Sequence, residues 1–311
     1  MRFEYKGRTA EFSRIVAYGC SFTEGHEILD YENKYKTLKT PEEIDNCKKK
    51  YKDAGKSIYQ FYKDNLSSES GFSDTETITT SMIYRTRARA WPAMLAKRFG
   101  SKYINRGFSG TGMWNHIQTY EQDTASGLIK DDDLIIFGLT TASRFFWVPP
   151  KQGPKIRGSI DTPYTLMPGM RFQNVSEFLS QKFLELFDTE YANPMYTCAV
   201  AFQAIKYIEY LSHARGGLAL MVPAAADLTT YGDGSVPKHP HMFWEMGYDA
   251  SYALTQPFKK DFEKDLLSYV EVEGCQNAER LERTGGYHTY YHPKLEGYQE
   301  FADEIYEAIK C

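Results

Sequence analysis

A serine and a histidine far apart in the chain carry the residue types that nucleophilic catalysis needs. Ser21 closes the run Ile15-Val16-Ala17-Tyr18-Gly19-Cys20, where an apolar stretch meets a glycine and turns polar. A buried parallel strand that delivers a side chain to a strand-to-helix turn reads this way. Gly19 suits a sharp turn, and Ser21 then falls just beyond the strand's carboxyl end, where open α/β sheets bind ligands. His292 precedes Pro293 and the final helical pattern. A serine hydroxyl beside an imidazole base forms an activated nucleophile. The bland alternatives are a serine that caps the next helix and a histidine that ends a loop. Cys20 reads as a small buried filler rather than a second nucleophile.

Other constellations are weaker. His239-Pro240-His241 and the pair His288 and His292 lack the carboxylates and helical spacing of a metal site, so no metal and no cofactor is expected. There is no GxxxxGK loop, and Gly19 to Gly25 lacks GxGxxG spacing. Lys48-Lys49-Lys50 reads as a solvated helix face.

The elements that must position these residues alternate between strand and helix. Arg14 to Ser21, Leu134 to Leu139 and Leu218 to Val222 are buried-type strands, with a shorter strand at Lys102 to Asn105. Trp91 to Phe99 is a helix opened by Pro92 and closed by Gly100. Further helices are expected from Met113, over about Met195 to His213 with Gly216-Gly217 ending it, over Pro257 to Tyr269, and at the end of the chain. This alternation predicts a parallel sheet covered on both faces, in one domain over residues 1–311. Two excursions interrupt it, at about 30–85 and 149–195. The first contains a helix start at Pro41, with Thr40 as cap, and is a candidate to fold over the site. The second carries a capping box at Asn174 and Glu177 followed by an apolar stripe to Phe187, a candidate lid or a docked helix.

Gly19-Cys20-Ser21, Asn105-Arg106-Gly107-Phe108-Ser109-Gly110, Gly138-Leu139-Thr140-Thr141 and Thr289-Tyr290-Tyr291-His292-Pro293 follow in an order that resembles the SGNH (GDSL-like) hydrolases. The likeness covers roughly Arg14–Glu24, Ala90–Arg144 and the last 25 or so residues, and neither excursion has a counterpart. It implies a three-layer flavodoxin-like sandwich and acyl transfer to water. Ser21 would be the nucleophile and His292 the base. The amides of Ser21 and Gly110, with the Thr140 hydroxyl, would form the oxyanion hole. Two positions depart from the family pattern. Thr140 stands where the family has an asparagine, and loss of one oxyanion donor costs about 10²–10³ in rate. Thr289 stands where it has the acid that orients the histidine, whose neutral replacement costs about 10⁴ in serine proteases. Asp227, after the third buried strand, is the candidate substitute, with His288 as another hydrogen-bond partner. The resemblance implies an esterase or acetyl or acyl hydrolase acting on a small-molecule or carbohydrate ester. A fold-retaining binding or structural module is the alternative that the departures favour. A hydrolase or transferase acting on a modified nucleoside or sugar is a third.

Composition sets the frame. The 311 residues are 42% hydrophobic and 25% charged, enough for a sizeable core. With 24 Tyr and 19 Phe, part of the apolar surface is available to line a cleft. A net charge of −4 gives no basic field, so no nucleic-acid partner is expected. The five cysteines lack CxxC spacing, which points to reduced thiols and a cytoplasmic setting. The first residues lack a signal peptide's apolar core, and no run of 18 apolar residues exists, so no membrane association is expected.

Overall fold

The computed structural model describes residues 1–28, 35–56, 58–66, 83–109, 111–140, 145–147, 164–166, 194–225, 266–272 and 292–310. In chain order the strands are β1 (Arg2–Tyr5), β2 (Arg8–Glu11), β3 (Arg14–Tyr18), β4 (Lys102–Asn105), β5 (Asp133–Gly138), β6 (Phe145–Trp147), β7 (Tyr164–Leu166) and β8 (Ala219–Val222). The helices are α1 (Ser21–Glu24), α2 (Pro41–Asp53), α3 (Ile58–Asn65), α4 (Trp91–Phe99), α5 (Met113–Ala125), α6 (Pro194–Ala214) and α7 (Leu295–Ile309).

The buried runs of the sequence become the central sheet. Its order is β4-β3-β5-β8 and every neighbour is parallel. Side chains alternate along these strands, so each face owns a separate core. Val16, Tyr18, Ile135, Phe137 and Met221 face α5 and α6. Ile15, Ala17, Leu134, Ile136 and Val222 face α4 and α7. Helices therefore cover both faces, and the three-layer α/β sandwich expected from the alternation is present. No helix among the described residues is long and apolar enough to cross a membrane.

The chain reverses direction across the sheet at β3, with β4 on one side and β5 on the other. That reversal is a topological switch point, and its crevice lies at the strands' carboxyl ends. The opposite end is pinned by Arg14, whose guanidinium donates from Nε to Asp133 Oδ1 at 2.9 Å and from Nη2 to Oδ2 at 2.5 Å. Burial pushes the Tyr18 hydroxyl's pKa upward, with Asp123 adding to the effect. Tyr18 donates to Asp123, which also receives both arms of the Arg106 guanidinium, tying α5 to the carboxyl end of β3.

Two differences from the sequence expectations have local causes. The antiparallel pair β1 and β2 went unread, because each strand has only four residues. Its turn is set by Lys6 and Gly7 at φ 47° and 71°, the hairpin geometry that Asn-Gly usually announces. The helix expected over Pro257 to Tyr269 does not reach its end. Within the described residues, Met221 accepts from Val270 and donates to Ser268, so Tyr269 pairs in parallel with β8. The lid candidate around Phe187 lies outside the described residues.

Candidate active site

The site begins where β3 ends. A Cβ at Gly19 would stand 2.0 Å from Thr23 Oγ1, so Thr23 of the following helix can pack this closely on the strand end only over a glycine. Cys20 is extended and occupies the N-cap of α1 without a side-chain cap bond. Ser21 is thus the first helical residue rather than the cap. Gly25, at φ 89°, ends the short helix, and the amides of Gly25 and His26 both donate to the Ser21 carbonyl at 3.0 Å. Glu27 follows in the left-handed region at φ 67°. For a residue with a Cβ that conformation costs about 1–3 kcal/mol, a strain that the surrounding contacts must hold. It folds the segment back so that the Glu27 and Ser21 side chains flank the same imidazole.

That imidazole is His292, placed by α7. Tyr298, Phe301, Ala302, Ile305 and Ile309 form the buried face of this helix. Phe301 meets Trp91 of α4 edge-on at 5.6 Å between ring centroids. Docking α7 on α4 therefore brings His292, three positions before the helix begins, to the carboxyl end of β3.

The hydrogen bonds form one line. His292 Nε2 lies 2.8 Å from Ser21 Oγ, and His292 Nδ1 lies 3.1 Å from Glu27 Oε2. A carboxylate only accepts, so Nδ1 carries the proton and Nε2 accepts from the serine hydroxyl. The His292 backbone amide also donates to Glu27 Oε2, at 3.4 Å. Glu27 Oε1 turns the other way, to Lys48 Nζ at 3.4 Å, and both of those side chains are fully buried. Ser21 is 3% exposed and His292 9%. The His292 ring packs against Phe22 at 5.0 Å between ring centroids and stacks nearly parallel on His26 at 4.6 Å. Burial, and then the neighbouring His292, hold the pKa of His26 well below the ordinary histidine value. His26 is therefore a neutral ring against the one that would take a proton.

A second loop braces this turn. Asn105, at the end of β4, donates from Nδ2 to the Thr23 carbonyl at 2.7 Å and accepts from the Gly107 amide at 2.9 Å. A Cβ at Gly107 would lie 2.4 Å from the Glu24 amide nitrogen, so the two backbones can approach only over a glycine. Ser109 completes the brace. Its amide donates to Glu24 Oε2 at 2.7 Å, and its hydroxyl lies 3.0 Å from His26 Nδ1.

Ser21 and His292 are thus brought together as the sequence suggested. Asp227 and His288, offered as partners for His292, lie outside the described residues, as do Gly110, His239 and His241. Among the described residues the acid against Nδ1 is Glu27, which the sequence reading did not single out. Thr140 follows β5 and is fully buried, and its hydroxyl has no hydrogen-bond partner among the described residues. The Lys48 side chain, read as part of a solvated face, is instead buried against Glu27. Among the described residues no group of three or more His, Cys, Asp or Glu side chains is gathered closely enough to hold a metal ion.

No protein-family model matches the chain, and no curated protein matches it. Solved structures give looser likenesses. A lipolytic protein of the G-D-S-L family from Desulfitobacterium hafniense DCB-2 is 11% identical, covers 95% of this chain and 99% of its own, with a TM-score of 0.38. LAE5, an alpha/beta hydrolase from the metagenome of Lake Arreo, Spain, is 14% identical over 96% of this chain and 95% of its own, with a TM-score of 0.38. An acetyl xylan esterase from the rumen bacterium Butyrivibrio proteoclasticus is 12% identical over 97% of this chain and 65% of its own, with a TM-score of 0.36. With overlaps this loose, the architecture rests on the chain's own sheet and layers.

Proposed function

We propose that this chain is a serine hydrolase of SGNH type that cleaves an ester, acetyl or other acyl group through an acyl-serine intermediate. The observation that carries the reading is the unbroken line Ser21 Oγ, His292 Nε2, His292 Nδ1, Glu27 Oε2. In the first step His292 Nε2 takes the proton as Ser21 Oγ bonds to the substrate carbonyl carbon. The carbonyl π pair moves onto oxygen. The amides of Ser21 and Gly110, with the Thr140 hydroxyl, are the proposed oxyanion donors. When the tetrahedral intermediate collapses, the C–O bond to the leaving group breaks and His292 returns the proton to that oxygen. Water then repeats the sequence on the acyl-serine, with His292 again as base, and frees the acid and Ser21. Glu27 holds the imidazole in the Nδ1–H tautomer throughout and balances the charge when it becomes imidazolium. The proposed substrates are small-molecule or carbohydrate esters, and the buried thiol of Cys20 suits a reducing, cytoplasmic setting.

The test is labelling with a fluorophosphonate probe together with p-nitrophenyl acetate turnover, in the parent protein, Ser21→Ala and His292→Ala. The parent labels and turns over, and both variants lose the two signals. Labelling that persists in Ser21→Ala sinks the serine mechanism. A parent that neither labels nor turns over favours the binding-module reading, which the threonine at position 140 supports.

A further inference from the structure

The first excursion is more than a surface detour. Around α2 and α3 it builds a small core of its own, from Tyr35, Ile58, Phe61, Tyr62 and Leu66. From α2 it sends Lys48 inward. The Lys48 ammonium sits 5.8 Å from the centre of the Phe61 ring and 3.4 Å from Glu27 Oε1, with no exposure to solvent. A lysine removed from water this completely needs a compensating anion. Here that anion is the carboxylate whose other oxygen holds His292. The two oxygens of Glu27 therefore divide between a cation from the excursion and the imidazole at the start of α7.

We infer that Lys48 is a positioning residue that acts through Glu27: it keeps the carboxylate ionised and limits how strongly that carboxylate attracts a proton onto His292. The inference rests on the base role proposed for His292. Among the described residues, the titratable groups that face Glu27 are His292 from the segment before α7, Lys48 from α2, and His26 beside it in the chain. The sign follows from their charges. A bare buried carboxylate would stabilise imidazolium strongly, and a cation on its far oxygen removes part of that stabilisation. Without Lys48 the carboxylate attracts a proton onto His292 more strongly, so the last proton leaves the Glu27–His292 pair at higher pH and the pair's upper titration step, read at the imidazole, moves upward. The base would then be blocked at a pH where the parent is active. The docking of the helical excursion is in this way felt at the nucleophile.

The measurement is the His292 imidazole titration by NMR, assigned with His292→Gln, in the parent, Lys48→Met and Lys48→Arg. It needs no turnover, so it separates this inference from the hydrolase reading. A parent that titrates as expected but does not label with a fluorophosphonate leaves Lys48's role standing and removes the hydrolase. Lys48→Met is expected to raise the midpoint by about one pH unit or more, roughly a tenfold gain in proton affinity. Lys48→Arg is expected to stay within a few tenths of a unit of the parent. In an active protein the acid limb of kcat/KM shifts in the same direction. A folded Lys48→Met with an unmoved midpoint overturns the inference. Where Lys48→Met does not fold, the double variant Glu27→Gln/Lys48→Met is expected to fold again, because the buried negative charge that Lys48 faced has gone. A double variant no more stable than the single one overturns the inference equally.

Discussion

Glu27 lies six positions after Ser21, so one turn of chain supplies two of the three groups in the hydrogen-bonded line. It is held by geometry rather than by preference, since a left-handed glutamate persists only where its surroundings fix it. Its neutral isostere tests what the charge does. Glu27→Gln keeps the shape but presents an amide to His292 Nδ1 and removes the carboxylate that Lys48 meets. Its kcat for p-nitrophenyl acetate is expected to fall by about 10²–10⁴, with KM within roughly threefold of the parent. A fall confined to KM would show that Glu27 acts in binding alone. His26 gives a second prediction. Its native pKa is held far below the ordinary value, so below about pH 6.5 the unfolded chain binds a proton that the native state refuses. Stability therefore falls as pH drops through that value and levels off above it. The slope reaches up to about 1.4 kcal/mol per pH unit. Urea unfolding between pH 5 and 8 is expected to show a shallower slope for His26→Gln than for the parent, and parallel curves would remove His26 from the account.

Among the elements, α2 is the one whose local chemistry matters beyond itself. Thr40 caps it by accepting from the Glu43 amide at 3.2 Å, and Glu43 returns the bond to the Thr40 amide at 3.0 Å. Pro41 occupies the first turn and lysines the last, both of which favour the helix. Thr40→Ala is expected to cost about 1 kcal/mol, read as a roughly fivefold loss of hydrogen-exchange protection at the α2 amides. The amides of β3 and β5 should be unaffected, because their bonds lie in the central sheet. Equal losses in α2 and the sheet would mean that the excursion unfolds only with the whole protein. The brace from β4 has a different character. Asn105 holds the turn by bonding its side-chain amide to backbone groups, and Gly107 by letting two backbones approach closely, so their role is to fix where Ser21 stands.

At the scale of the whole molecule, the sheet was legible because parallel strands buried on both faces are written as unbroken apolar runs, as in Leu134 to Leu139. Gly100 marked the end of α4 and Gly216 the end of α6, and both adopt positive φ. Ser21 and His292 were legible for a related reason, one following a strand end and the other preceding a helix. Glu27 was hidden because nothing in Gly25-His26-Glu27 announces a left-handed turn at a glutamate. Lys48 was hidden because a lysine triplet signals solvent, and only the packing of the excursion against Glu27 singles out one of the three. The acid and its cation are tertiary facts, created where distant segments meet.

The separation of Ser21 from His292, 271 positions, has a consequence in time. A ribosome adding about 5–20 residues per second needs roughly 10–60 s to pass from one to the other. Through that interval the growing chain carries the serine and the glutamate without His292. On the proposed mechanism, a chain cut short anywhere between them lacks its base, so truncated products are expected to be inert without needing an inhibitor.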